Sequence, residues 1–290
     1  MKELLSITKP IALALGYFDC VHYAHRKIIS GVVDVARKSN IKSAVFTFSN
    51  DLPSKASLPI YSFADRKKLF SELEVDYVIP YRFDENFKGM TPTAFLQMLF
   101  STFDIRHIAC GADYRFGMDG VGDTGFLKEF VSNLGAGITV HNPIKLSGAV
   151  VSSSLVKDAL TAGDVVKAGS LLCCPYFIEG RVTRGRGRGE ALGYPTANIK
   201  PVDKFLPRFG VYKSRTTIDG KVFASITSIG NKPTFSDEST TVETFIKGNV
   251  FNLYAKNIKV ELLKYIREIV KFDSAAQLKE QIKKDISYLK

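Results

Sequence analysis

The chain has 290 residues, 45% of them hydrophobic and 24% charged, a composition that supplies sizeable cores and excludes a disordered chain or a disulfide-dense miniprotein. Its length predicts two domains. The formal net charge of +11 is uneven, +2 in residues 1–150 and +9 in residues 151–290, which points to an anionic partner for the second half, either nucleic acid or a phosphorylated small molecule.

No apolar run reaches the roughly 18–20 residues that a membrane span requires. Residues 1–10 carry Lys2, Glu3 and Lys9 without a signal-peptide pattern. Cys20, Cys110, Cys173 and Cys174 have no CxxC spacing, so buried or incidental thiols are expected, in a soluble cytoplasmic protein with no membrane partner.

In the first half, β-rich apolar runs alternate with amphipathic helical patterns. Strands are predicted over 11–15, 43–48, 77–80, 107–110 and 138–141, and helices over 25–38, 63–73, 92–103 and 124–134. Ile28, Ile29, Val32, Val33, Val35 and Ala36 give the first helix a broad apolar face. Thr91 before Pro92 reads as an N-cap with proline at the first helical position. This alternation predicts an α/β domain, a parallel sheet covered by helices, with ligands outside the carboxyl ends of its strands. Residues 16–25 and 111–123 fall there.

Two short helices, 152–162 and 164–172, lead into a β pattern over 177–183, 211–218, 222–229, 242–246 and 259–269. Asp219-Gly220 is a type I′ hairpin signal. Ser274 with Gln277 forms a capping box for a last helix reaching about Tyr288. Several strands and one closing helix predict a small antiparallel barrel. The domains are accordingly expected at 1–172 and 173–290.

Gly16-Tyr17-Phe18-Asp19-Cys20-Val21-His22-Tyr23-Ala24-His25 joins the first strand to the first helix. Backbone N–H groups at a helix start favour phosphate, and His22 and His25, three apart, can both donate to one triphosphate as charge builds. The competing reading is two half-buried loop histidines. Gly111 to Gly117, followed by Gly120, Gly122 and Asp123, forms a glycine-rich loop that a ligand or only solvent could approach. Ser152, Ser153 and Lys157 can place hydroxyls and an ammonium on phosphate, or the serines can simply cap a helix.

In the second half, Arg184-Gly185-Arg186-Gly187-Arg188-Gly189 is short and flanked by β pattern. That favours a phosphate-cradling hairpin loop over a disordered RNA-binding tract. Thr196 and Asn198, two apart on a strand, offer hard oxygen ligands suited to Mg²⁺ held with nucleotide phosphates. Glu243 is either a solvated strand residue or a general base facing a hydroxyl substrate. Arg267 is ambiguous on local pattern.

Taken together and in this order, these segments resemble the prokaryotic bifunctional riboflavin kinase/FMN adenylyltransferase (FAD synthetase) family over essentially the whole chain. The resemblance implies a Rossmann-like nucleotidyltransferase domain followed by a six-stranded barrel with a terminal helix. It implies ATP, riboflavin and FMN as small-molecule partners, Mg²⁺ with ATP, and flavin as substrate and product. The family's Gly-Phe-Pro-Thr-Ala-Asn motif matches Gly193-Tyr194-Pro195-Thr196-Ala197-Asn198, and its catalytic glutamate matches Glu243. Residues 229–235, and 253–272 with Arg267, are also similar to family signatures. The implied phosphate-binding set is Gly185, Arg186, Gly187, Gly189, Thr196 and Asn198 in the kinase half. In the other half it is Gly16, Phe18, Asp19, Ser152, Ser153 and Lys157 beside the catalytic His22 and His25. Asp113, Arg115, Gly117 and Arg267 are the expected flavin or nucleotide contacts.

The first half departs from the family pattern. Cys20 and Ala24 stand where the family has glycine, Asp51 replaces a histidine, and Leu155 and Lys157 replace two arginines. Cys173-Cys174 replaces Gly-Arg. If two of these positions touch phosphate, about 2–4 kcal/mol of transition-state stabilisation is at stake. Three outcomes follow for adenylylation: full, weakened, or lost with a structural or regulatory first domain. A basic RNA-binding regulator is the reading from another class.

Overall fold

A computed structural model describes residues 7–50, 58–185, 189, 192–199, 204–231, 240–248 and 253–289. Asp51, Arg186, Gly187, Arg188 and residues 232–235 lie outside the described residues. Two compact units divide between Ser153 and Ser154.

In the first unit a five-stranded parallel sheet has the order β3-β2-β1-β4-β5. Its strands are β1 (Ile11–Leu15), β2 (Lys42–Phe48), β3 (Tyr77–Tyr81), β4 (Ile105–Gly111) and β5 (Gly137–His141). Every residue of β1 is buried, as a central strand covered on both faces requires. The helices are α1 (Tyr23–Lys38), α2 (Phe63–Glu72), α3 (Glu85–Lys88), α4 (Pro92–Thr102) and α5 (Thr124–Asn133). Ile28, Ile29, Val32, Val33 and Ala36 are the buried face of α1. The Thr91 hydroxyl accepts from the Ala94 N–H, with Pro92 in the first turn of α4. A core around Phe46, Phe87 and Phe95 packs between the sheet and its helices.

The chain adds β2 and β3 on one side of β1, then returns to add β4 and β5 on the other. The β1/β4 boundary is thus the topological switch point where open α/β sheets bind ligands. The short α3 and the hairpin of β6 (Lys145–Leu146) with β7 (Ala149–Val150) are additions to the predicted elements. Elements of two to four residues are too short to display a hydrophobic period.

Helix α6 (Ser153–Ala162) begins at the division, and α7 (Val165–Leu172) follows it. The second unit closes a barrel in the order β10-β11-β12-β9-β8-β13. Its strands are β8 (Phe177–Thr183), β9 (Thr196–Ile199), β10 (Gly210–Ile218), β11 (Lys221–Asn231), β12 (Thr240–Ile246) and β13 (Asn257–Arg267). All the pairings are antiparallel. Asp219 and Gly220 both have positive φ, 48° and 77°, and Ile218 pairs with Lys221, as a type I′ turn demands.

Strand β13 ends at Arg267 rather than 269. Its partner β10 starts at Gly210, so the ladder stops at the Val211–Arg267 pair, and Ile269 and Val270 are exposed despite their apolar character. Helix α8 (Ala275–Ser287) follows, capped by Ser274. The buried face of the barrel strands carries Ser214, Thr216, Ser225, Thr227 and Thr244, whose hydroxyls bond to one another. Satisfying each hydroxyl internally is what lets these polar side chains be buried.

Candidate active sites

The loop between β1 and α1 runs over the switch point in a strained conformation. Phe18 and Val21 have φ near 49°, and for β-branched Val21 this is a steric outlier of the kind that clusters at functional sites. Gly16 is required here, because a Cβ would lie 2.7 Å from the Phe18 ring. Phe18, Asp19, Cys20, Val21 and His22 are all buried.

His22 is the N-cap of α1, its Nδ1 accepting from the His25 N–H at 3.2 Å. The two imidazoles stack with centroids 3.5 Å apart and planes 11° from parallel, and the Phe18 ring sets its edge against His25. The Ser153 hydroxyl donates to Asp19 and lies 3.6 Å from Cys20 Sγ. Burial, aided by the Asp19 charge, pushes the Cys20 thiol well above its usual pKa. Gly16, Phe18, Asp19, His22, His25 and Ser153 therefore form one cluster, with half-buried Ser152 preceding α6. Lys157 directs its ammonium over the Phe205 ring, 5.4 Å from the centroid.

Sequence reasoning missed Arg66. In pattern it is one more cation on an amphipathic helix, yet it is 1% exposed. Its guanidinium donates to the carbonyls of Tyr17 at 2.8 Å and Phe48 at 2.9 Å, and to Thr47 Oγ1 at 3.0 Å. It also lies over the Tyr17 ring. It joins the chain leaving β1 to the chain leaving β2. Its weak signal was a cation following the Ser62 and Asp65 capping box, one turn into the helix.

The glycine-rich loop leaves β4, the other strand of the switch point. A Cβ on Gly111 would meet Asp113 Oδ1 at 2.7 Å, and Gly117, at φ 75°, lies against Pro92. A Phe116–Gly122 bridge closes the loop, and exposed Arg115 pairs with Asp123 at 3.7 Å. Asp123 also caps α5.

In the barrel, β9 and β12 pair so that Asn198 faces Glu243 and Thr196 faces Phe245. These four share one face, opposite the buried Ala197, Ile199, Val242, Thr244 and Ile246. A Cβ on Gly185 would fall 2.2 Å from Asn198 Nδ2, and one on Gly189 would fall 2.4 Å from the Tyr194 carbonyl and 3.4 Å from Thr196 Oγ1. Gly185 and Gly189 thus lie close against Asn198 and Thr196. Asn198 Oδ1 is buried and has no hydrogen-bond partner among the described residues. Such an orphaned oxygen beside a hydroxyl suits a hard cation or a ligand donor.

Arg267 pairs with the terminal helix. Its Nε and one terminal nitrogen grip both Asp285 oxygens, at 2.9 and 2.6 Å, and the other terminal nitrogen donates to the Glu268 carbonyl at 2.9 Å. This fork ties β13 to α8.

A family model for FAD synthetase matches residues 5–155, and one for riboflavin kinase matches residues 172–290. The bifunctional riboflavin kinase/FMN adenylyltransferase of Bacillus subtilis is 32% identical over 287 residues, covering 94% of this chain and 89% of that protein. The Escherichia coli protein of the same description is 31% identical over 280 residues, covering 94% and 90%. A solved chain from Streptococcus pneumoniae, described as a macrolide-efflux protein, superposes with a TM-score of 0.88 at 27% identity, covering 100% of this chain and 97% of that one. Among the described residues here, no helix is long and apolar enough to cross a membrane. With a nucleotide-type sheet, a barrel carrying the Thr–Asn–Glu face, and curated relatives matched across both units, the chain belongs to the bifunctional riboflavin kinase/FMN adenylyltransferase family.

Proposed function

We propose that the barrel phosphorylates riboflavin at the terminal hydroxyl of its ribityl chain and that the first unit adenylylates the resulting FMN. The observation that carries the kinase assignment is Glu243 directly opposite Asn198, with Gly185 and Gly189 packed against Asn198 and Thr196. Glu243 accepts the hydroxyl proton as the ribityl oxygen attacks the γ-phosphorus of ATP. The bond to the β-phosphate oxygen breaks and ADP leaves. Mg²⁺ held with the nucleotide would supply charge neutralisation on the transferring phosphoryl group. Thr196 Oγ1 and the orphaned Asn198 Oδ1 are the oxygens that would hold it. Gly185, with Arg186, Gly187 and Gly189, cradles the phosphates.

In the first unit, an FMN phosphate oxygen attacks the α-phosphorus of a second ATP and pyrophosphate leaves, giving FAD. His22 and His25 sit at the start of α1, where their donors and the helix N-terminus stabilise charge gathering on the phosphates. Gly16, Phe18, Asp19, Ser152 and Ser153 shape that pocket around the nucleotide. Asp113, Arg115 and Gly117, on the loop after β4, the other strand at the switch point, would contact the flavin or the nucleotide.

The test is a time course with riboflavin and excess MgATP, with riboflavin, FMN and FAD resolved by chromatography. FMN followed by FAD is the expected result. FMN that accumulates, with supplied FMN also left unchanged, would reduce the first unit to a non-catalytic role. Absence of both products would overturn the assignment.

A further inference from the structure

The family resemblance places a glycine at position 20, and this chain places a thiol there, between a buried carboxylate and two histidines. One ligand atom each from Cys20, His22 and His25 lies within 4.8 Å of the others. A tetrahedral zinc site needs separations of about 3.3–3.6 Å between such atoms, given metal–sulfur and metal–nitrogen bonds near 2.3 and 2.0–2.1 Å. We infer that Cys20, His22 and His25 form a binding site for a soft or borderline divalent transition metal of the zinc class, set into the loop that the nucleotide reaction uses.

Three features support the site. The donor set is one sulfur and two imidazole nitrogens, which selects zinc or cobalt and not Mg²⁺, whose preference is for oxygen. The backbone sets the three residues close together, because His22 caps α1, His25 lies one turn on, and the positive-φ turns at Phe18 and Val21 bracket Cys20. Asp19, buried and bonded to Ser153, adds negative charge beside them. Half-buried His25 is the way in, with Cys20 behind it.

Binding requires a local rearrangement. Two rings 11° from parallel cannot both aim in-plane lone pairs at one ion, so one imidazole turns out of the stack. His22 offers Nδ1, and the ion replaces its long bond to the His25 N–H. The Cys20 proton passes to solvent as the metal–sulfur bond forms. Three protein ligands leave a fourth position open to water or a phosphate oxygen. An ion held there occupies the imidazoles assigned to adenylyl transfer, so it suppresses FAD formation and spares FMN formation. This last consequence rests on the function proposed above, whereas metal binding does not.

The experiment uses the full chain with Cys20→Ser and Cys20→Gly variants, the second restoring the family's residue and keeping the test open should the first fail to fold. Circular dichroism and FMN formation report the fold. Cobalt titration of the wild type should produce a thiolate-to-cobalt charge-transfer absorption that both variants lose. Zinc affinity, measured against a chromophoric chelator, should fall by about 10–100-fold or more, since even an outer partner of a metal ligand is worth that much. In the wild type, zinc should depress FAD output while FMN output holds, and Cys20→Gly should abolish that split. Cys173 and Cys174 remain in both variants, so an absorption band that persists in them overturns the assignment. Equal zinc affinity in all three proteins overturns it as well. A chain that binds zinc through Cys20 but makes no FAD would keep the site and sink only its catalytic consequence.

Discussion

At the scale of single residues, the two sites depend on positions where a side chain would collide or a polar atom would be orphaned. Gly185→Ala places a methyl group 2.2 Å from the Asn198 amide nitrogen, so residue 185 or the Asn198 side chain must shift, and the proposed phosphate contact is disturbed. The expected outcome is a tenfold or greater fall in kinase kcat/KM for ATP, about 1.4 kcal/mol, with the melting temperature little changed. Glu243→Gln keeps the shape of the face and removes the base. FMN formation should drop by about 10²–10⁴-fold while the barrel stays folded, as steady-state kinetics and circular dichroism would show. Near-normal turnover would remove Glu243 from the mechanism. Arg66→Met removes the guanidinium donor to the Phe48 carbonyl and one of two donors to the Tyr17 carbonyl, which keeps the Thr47 hydroxyl at 2.7 Å, a cost of about 1–3 kcal/mol. Chemical denaturation of the first unit should report that loss.

At the scale of elements, helices and strands are tied by a few charged contacts whose worth depends on burial. The Arg267–Asp285 fork has side chains 21% and 6% exposed, so it belongs with partly buried pairs, and Asp285→Ala should cost about 2–4 kcal/mol by leaving the guanidinium unpaired. Loss of α8 packing on the barrel, seen by urea denaturation, is the measurement. Asp76 ties the approach to β3 onto β2 by accepting from Lys42 Nζ at 2.6 Å and from the N–H and hydroxyl of Ser43, each at 2.9 Å. Partial burial alone would raise its pKa, but these bonds outweigh it and hold the carboxyl below the usual range. A depressed folded pKa means stability that is present above the unfolded value of about 3.9 and lost as pH falls through the folded one. Asp76→Asn should therefore be less stable by about 1 kcal/mol at pH 7, and the difference should vanish in the acid limb of a pH–stability curve.

At the scale of the molecule, one chain carries two reactions in series, and the product of the barrel is the substrate of the sheet. Because the two sites are built from separate units, Glu243→Gln should still convert supplied FMN to FAD. Conversely, His22→Ala combined with His25→Ala should stop at FMN. Chromatography of products from each variant, fed each flavin, tests this directly. The +9 charge of residues 151–290 is met by the phosphates of ATP without invoking RNA, and the matches across both units are to flavin-nucleotide enzymes.

Much of this was legible before any fold was drawn. Periodicity located the five sheet strands and every helix between them except the short α3, because a 3.6-residue apolar face and a buried run survive in sequence wherever an element is long enough. Asp219-Gly220 announced its turn because few residues accept two successive positive φ values. Motif order pointed to both activities, and Thr196, Asn198 and Glu243 were named from it. Only the tertiary structure decided which of these residues meet. On local pattern Glu243 is open between a solvated strand residue and a general base, and Arg267 is ambiguous; register sets Glu243 opposite Asn198, and α8 brings Asp285 against Arg267. Little in the sequence pattern singles out Arg66, which the fold buries, and Cys20, expected as a buried or incidental thiol, is buried with its sulfur close to two histidines. Local pattern records what each segment prefers, and the partner of a buried charge or an orphaned oxygen is fixed by contacts between segments far apart in the chain.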